Sequence, residues 1–187
     1  MHTDEMGRIY PEITPELREF IERQRVFFTA SAPSGTDGHV NCSPKGLNSL
    51  AILGPLRVAY LDLVGSGAET LAHVRQNGRL LLMFCAFEGP PKIVRLHGRA
   101  EVRMPGSPEF DELSRRFEVD GARRCVIDLA VKRVSDACGF GVPLMEFREE
   151  RPQIAEWTQA KGPAGIAEYI GRKNAASIDG LPAVDPT

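Results

Sequence analysis

The chain has 187 residues, 42% hydrophobic and 26% charged, which suits one ordinary globular unit able to bury a core without staples. A formal net charge of −2 gives no overall field to draw nucleic acid or an anionic membrane. No run of residues approaches the apolar length of a membrane span, and the opening MHTDEMGRIYPEI lacks the apolar stretch of a secretion signal. The four cysteines, Cys42, Cys85, Cys125 and Cys138, are scattered without CxxC spacing. They read as free thiols in a reducing, cytoplasmic compartment, and no His/Cys/carboxylate grouping suggests a metal.

In chain order, ITPELREFIERQ opens with Thr14 as N-cap and Pro15 at the first helical position, and Leu17, Phe20 and Ile21 share one face. Residues 26–32 (VFFTASA) have strand composition, PSGTDG is a turn, and HVNCS resumes as the second arm of a hairpin. LAILG is a short piece before the strand LRVAYLDLV. A helix over 67–76 follows, closed by Asn77-Gly78, and then a buried strand RLLLMFCAF. After the tight turn EGPP, KIVRLHGRAEVRM alternates as a long strand with Gly98 at a bulge. Ser107 and Pro108 start another short helix. RRCVIDLAVKRVSDA is a strand with Cys125, Ile127, Leu129 and Val131 on one face. The tail beyond residue 150 reads as one or two helices and an extended end. Strands joined by hairpin turns, with few helices between, predict an antiparallel barrel or bent sheet rather than a doubly wound parallel one.

The stretch LVGSGAETLAHVRQNG places a glycine turn between a strand and a helix, the setting of many phosphate sites. It has no P-loop lysine, and Gly65-Ser66-Gly67 lacks the third glycine of a dinucleotide fingerprint. The hairpins that follow also break the repeating βαβ pattern a Rossmann unit needs. What remains is an anion at the helix start, with Ser66 and Thr70 as hydroxyl donors, or simply Ser66 as a helix cap. Lys45, at the end of a strand in HVNCSPKG, and Arg95, in a strand with apolar neighbours, are candidate positive partners. Each is alternatively structural: an exposed turn lysine, and an ion-paired arginine on the barrel wall.

Taken in order over roughly residues 14–135, these segments resemble the pyridoxamine 5'-phosphate oxidase-like, FMN-binding split-barrel family. The resemblance rests on the helix, the hairpin, the strand ending YLDL, Ser-Gly before a helix, QNG, RLLLMF and VRLHGRAEV. It implies an α+β, mainly β fold: a six-stranded antiparallel split barrel over residues 1–150 and a helical C-terminal arm over 151–187. It implies FMN at a homodimer interface, with the isoalloxazine along Val40, Asn41, Cys42 and Ser43. Leu61 and Asp62 would lie near the ribityl chain and ring edge, and the phosphate at Ser66, Gly67 and Thr70. Lys45, Lys92 and Arg95 would answer the phosphate charge, one of Lys45 and Arg95 from the second subunit, and strand backbone N–H groups, Lys45 or Asn48 would face the flavin N1/O2 edge. Enzymes of the family often carry an Arg-Lys pair directly after that serine, where this chain has Gly67 and Ala68.

The expected activity is FMN-dependent oxidation or reduction of a small molecule, with the flavin carrying the chemistry. The alternative is a non-catalytic flavin- or haem-binding barrel. No catalytic residue is assigned. His39 and His97 are proton-donor candidates or structural imidazoles, and Ser43 and Cys42 have no base partner in view. The CGFGVP loop (138–143) lies against the flavin or closes the barrel. Trp157 packs the arm onto the core or covers the site.

Overall fold

The computed structural model describes residues 7–184. Helix α1 (Pro15–Glu22) starts where its sequence signals place it: Thr14 Oγ1 accepts from the Leu17 N–H at 3.3 Å, and Leu17, Phe20 and Ile21 are buried. Before it lies the two-residue strand β1 (Ile9–Tyr10). The strands that follow are β2 (Phe27–Ser31), β3 (Asn41–Lys45), β4 (Leu50–Gly54) and β5 (Arg57–Leu63). Helix α2 (Glu69–Asn77) leads to β6 (Arg79–Cys85) and β7 (Ile93–Arg103). Helix α3 (Pro108–Ser114), capped by Ser107, precedes the long β8 (Arg123–Ala137) and the kinked α4 (Gln153–Lys173).

The strands form one antiparallel sheet in the order β3-β2-β6-β7-β8-β5-β4, with β1 also on β8. The sheet curls until its two halves meet. Phe27 of β2 and Tyr60 of β5, far apart in that order, pack edge to face with ring centroids 5.6 Å apart. The expected antiparallel α+β split-barrel class is the observed one, but with eight strands among the described residues rather than six. LAILG pairs with β5, with a register shift at Leu53, and Ile9-Tyr10 adds to β8. A two-residue strand and an unalternating five-residue one carry too little periodicity to count from sequence.

The barrel interior holds one core cluster, in which α2 contributes Leu71, Ala72 and Val74 against Leu82, Val94 and Leu96. A second cluster lies on the other face of β5 and β8, where Phe110 and Leu113 of α3 cover Leu61 and Val126. Gly98 sits at a register shift in the β7–β8 pair, as its bulge reading requires. Helix α4 breaks at Gly162 (φ 64°) before Pro163 and folds back, so that Trp157 and Tyr169 meet at 5.0 Å.

Candidate functional site

Asp62 of β5 is the centre of the arrangement. Strand alternation turns it inward beside Tyr60 and Cys125, and it is 2% exposed. Lys45 at the end of β3 reaches it across the barrel gap, Nζ donating at 2.8 Å. Arg124 donates to it from Nε at 2.8 Å, with Nη2 at 2.6 Å. Arg124 gets there because of a bulge: the ladder runs Asp62 to Cys125 and then Leu63 to Arg123, leaving Arg124 outside the register. Its Nη1 donates to the Gly67 carbonyl at 2.6 Å, which ties the cluster to the turn before α2.

The electrostatics follow from this count. Burial alone would raise the Asp62 pKa, but Lys45 and Arg124 outweigh it and hold the carboxyl below the ordinary range. Two cations around one carboxylate leave a net charge of +1 in a poorly hydrated place. Burial, with Asp62 adding to it, pushes the Cys125 thiol well up, so it is no nucleophile. Burial and Asp62 likewise keep the Tyr60 hydroxyl neutral, and its oxygen has no hydrogen-bond partner.

A polar ladder continues along β3. The β2–β3 register sets Asn41 and Ser43 opposite Ser31 and Thr29 on the inward face. Asn41 Nδ2 donates to Thr70 Oγ1 at 2.8 Å, and Ser43 Oγ donates to Asn41 Oδ1 at 2.9 Å. Below them Ser31 Oγ and His73 Nδ1 lie 3.0 Å apart, fully enclosed. Burial lowers the His73 pKa, so this imidazole is held neutral.

Helix α2 begins at Glu69, two residues later than its sequence suggests, because Ala68 takes the N-cap position. No side chain caps it, so Ser66 is not a helix cap; Ser66 and Gly67 stand exposed in the turn. Asn174, just beyond α4, donates to the Gly65 carbonyl at 2.9 Å and is itself fully buried. Its Oδ1 has no partner.

The remaining sequence candidates lie elsewhere in this chain. Val40 is 77% exposed ahead of β3, and Cys42 is exposed on the face of β3 opposite Asn41 and Ser43. Asn48 is exposed in the turn before β4, at φ 51°. Leu61 points under α3, away from Asp62, as its neighbour in a strand must. Lys92 lies 3.9 Å from Asp136 and over the Phe20 ring. Arg95 alternates with the core residues Val94 and Leu96, so it faces outward, opposite Met83 and Ser135. Lys92 and Arg95 thus lie apart from the Asp62 cluster, whose cations are Lys45 and Arg124.

His39 is bound to Asp179, Nδ1 to Oδ1 at 2.6 Å. His97 lies on the Arg95 face, with burial, then Arg133 and Arg95, lowering its pKa. In the 138–143 loop, Gly139 (φ 66°) packs on the Lys92 backbone and Phe140 is exposed. Of the cysteines, Cys85 and Cys125 are buried, Cys138 is partly covered, and all are free.

Sequence reading missed Arg124 and Asn174. For Arg124 a signal existed: an Asp amid the apolar strand RVAYLDLV needs a cation, and RRCVIDL is the strand beside it. Asn174 gave none, because only the return of the C-terminal segment puts it against Gly65. Among the described residues no helix is long and apolar enough to cross a membrane, and no three His, Cys, Asp or Glu side chains gather as metal ligands would.

Comparison with known proteins agrees with this architecture. The family model described as pyridoxamine 5'-phosphate oxidase matches residues 13–138. The Aspergillus flavus pyridoxamine 5'-phosphate oxidase family protein ustO is 38% identical over 198 residues, covering 96% of this chain and 78% of that protein. Among solved structures, HupZ from Group A Streptococcus superposes with a TM-score of 0.51 at 22% identity, over 65% of this chain and 91% of its own. A Lactobacillus delbrueckii protein, provisionally named a pyridoxamine 5'-phosphate oxidase, gives 0.53 at 18% identity, over 70% and 98%. At these identities the two structures speak for the fold alone. The family model spans more than half of the chain and the fungal relative nearly all of it, and the chain belongs to the pyridoxamine 5'-phosphate oxidase family.

Proposed function

We propose that this protein binds FMN at the mouth of the barrel and is an FMN-dependent oxidoreductase acting on a small molecule. The observation that carries the reading is the Lys45–Asp62–Arg124 cluster beside the uncapped start of α2. Its surplus positive charge and the helix dipole both favour an anion at residues 65–70. The basic pair that family enzymes carry after the serine is replaced here by Gly67 and Ala68. Arg124 brings a guanidinium to the same turn from β8 instead, through its bond to the Gly67 carbonyl.

The residues therefore fit a flavin phosphate. Ser66 and the backbone of the turn would hold it, with Lys45 and Arg124 neutralising its charge. Asn41, Ser43 and Thr70 offer a row of hydroxyl and amide groups to a polyhydroxy chain. Bound flavin would supply the redox chemistry. Haem is less well served: the imidazole within the polar ladder is that of His73, which is fully buried and bonded to Ser31. The free cysteines suit a reducing compartment such as the cytoplasm.

The reading includes a homodimer. Phe28, Ala30, Leu81 and Met83 form a half-covered apolar patch on the outward face of the sheet, continuous with Cys42 and Arg95. Pairing two such faces would bring Val40, Cys42 and Arg95 to the partner's site. Light scattering should give twice 20.5 kDa; a monomer at working concentration refutes this part.

The cofactor is tested by titrating the full chain with FMN and with riboflavin, following flavin fluorescence. FMN should bind at least tenfold more tightly, and Lys45→Ala should narrow that gap. A chain that takes up neither flavin overturns the reading. Reduction of the bound flavin by a nicotinamide or deazaflavin donor separates an enzyme from a non-catalytic carrier.

A further inference from the structure

A cleft of about 1100 Å³ lies between the end of β3, the turn after β6 and residues 145–157, which lead into and begin the C-terminal arm. Four aromatic side chains from separate parts of the chain line it: Phe20, Phe87, Phe147 and Trp157. The segment leading into the arm is pinned over it by two bonds, the Met145 N–H to the Phe87 carbonyl at 2.8 Å and the Phe147 N–H to Glu88 Oε1 at 3.1 Å. The Arg25 guanidinium sits over the Phe147 ring at 4.9 Å.

We propose that this cleft is a binding site for a bulky, largely apolar aromatic molecule without net charge, and that this molecule is the substrate class of the protein. The size argues for bulk, since pockets for drug-sized ligands run from roughly 300 to 1,000 Å³. The lining argues for aromatic rings, which stack on or meet edge-on the rings already present. Its charges argue for neutrality: four arginine or lysine side chains, Arg25 and Lys45 among them, stand against four glutamates. A ligand with net charge of either sign would meet as many like charges as opposite ones. Met145 and Phe147 are 55% and 38% exposed, apolar surface that such a ligand would cover.

The cleft is continuous with the cofactor cluster, because Lys45 lines the one and binds Asp62 in the other. The substrate role rests on the flavin reading; the binding site itself does not.

Trp157 is the only tryptophan in the chain, so its emission reports on the cleft directly. The probe is Nile red, a neutral polycyclic dye that fluoresces when it leaves water. The full-length protein should take up one dye per chain, with Trp157 emission falling at the same midpoint. Phe147→Glu, in an irregular exposed segment that leaves the barrel folded, should weaken the dye at least tenfold. Trp157→Phe should keep dye binding and lose the tryptophan signal. Protein loaded with FMN should bind the dye as before.

Absence of saturable binding, or unchanged affinity in Phe147→Glu, overturns the site. Displacement of the dye by FMN makes the cleft the flavin's own seat and overturns it too. Dye uptake confined to protein diluted below its dimer dissociation range shows that a second copy covers the cleft, with the same consequence. A chain that binds the dye at Trp157 but no flavin overturns the substrate role while the site stands.

Discussion

Replacing Asp62 by Asn removes the carboxylate that pairs with both Lys45 and Arg124, at nearly constant volume. Asp62 and Arg124 are 2% and 5% exposed, so the guanidinium cannot turn to water without opening the barrel end. Lys45 is 22% exposed and can swing outward. Breaking a buried ion pair by deleting one partner costs about 3–5 kcal/mol. Asn keeps an acceptor for Arg124, and Lys45 escapes, so the lower figure of about 3 kcal/mol applies. For a chain of this size each kcal/mol moves Tm by about 2–4 °C, which predicts a fall of about 6–12 °C at pH 7. Thermal unfolding followed by circular dichroism, at matched flavin content, measures it.

The pH dependence gives a second, independent reading. The folded pKa of Asp62 lies below its unfolded value. Its stabilisation is therefore complete above the unfolded pKa, about 3.9, and is lost as pH falls through the folded one. The gap between wild type and Asp62→Asn should stay constant from pH 7 to about 5 and shrink below about 4. A Tm loss under about 2 °C, or a gap that does not close in acid, would show that the carboxylate is not the counter-charge of a buried cluster.

Three further outcomes follow. Gly98→Ala would place a Cβ 2.1 Å from the Ala130 carbonyl oxygen, in the middle of the longest strand pair. It should cost about 3 kcal/mol or more in a denaturant melt, and an unchanged midpoint would mean that β7 and β8 are not that close. Asn174→Ala strips the donor from the Gly65 carbonyl and should cost about 1–3 kcal/mol. It should also lower FMN affinity more than riboflavin affinity, and equal losses would separate Asn174 from the phosphate turn. Burial, with the bond to Asp136, raises the Tyr10 pKa to about 12. The neutral phenol thus contributes stability below about pH 10, lost as pH rises toward about 12. Tyr10→Phe should flatten that alkaline slope, which ultraviolet difference spectra and melts between pH 9 and 12 can follow.

Much of the fold was legible because its signals are local. Thr14-Pro15 and Ser107-Pro108 start helices wherever they lie, and alternation in KIVRLHGRAEVRM marks a strand without reference to its neighbours. The glycine at 98 announced a bulge because a strand interior has few other uses for one. The order of these elements already separated an antiparallel barrel from a Rossmann sheet. The weakest local signals, Ile9-Tyr10 and LAILG, were the strands miscounted.

The candidate site was only half legible, for a geometric reason. Sequence identifies residue types near a turn but not the face a strand presents. Asn41, Ser43 and Lys45 fall inward and Cys42 outward by the β2–β3 register, and Leu61 turns under α3 while Asp62 turns into the barrel. The outward aim of Arg95 follows from the same alternation. The cation that completes the Asp62 cluster comes from a one-residue bulge 62 positions downstream, and Asn174 arrives from beyond α4. Local propensity and order along the chain therefore set what kind of barrel this is. Register, a single bulge and the return of the C-terminal segment decided which charges share its mouth, because those contacts exist only once distant strands have paired.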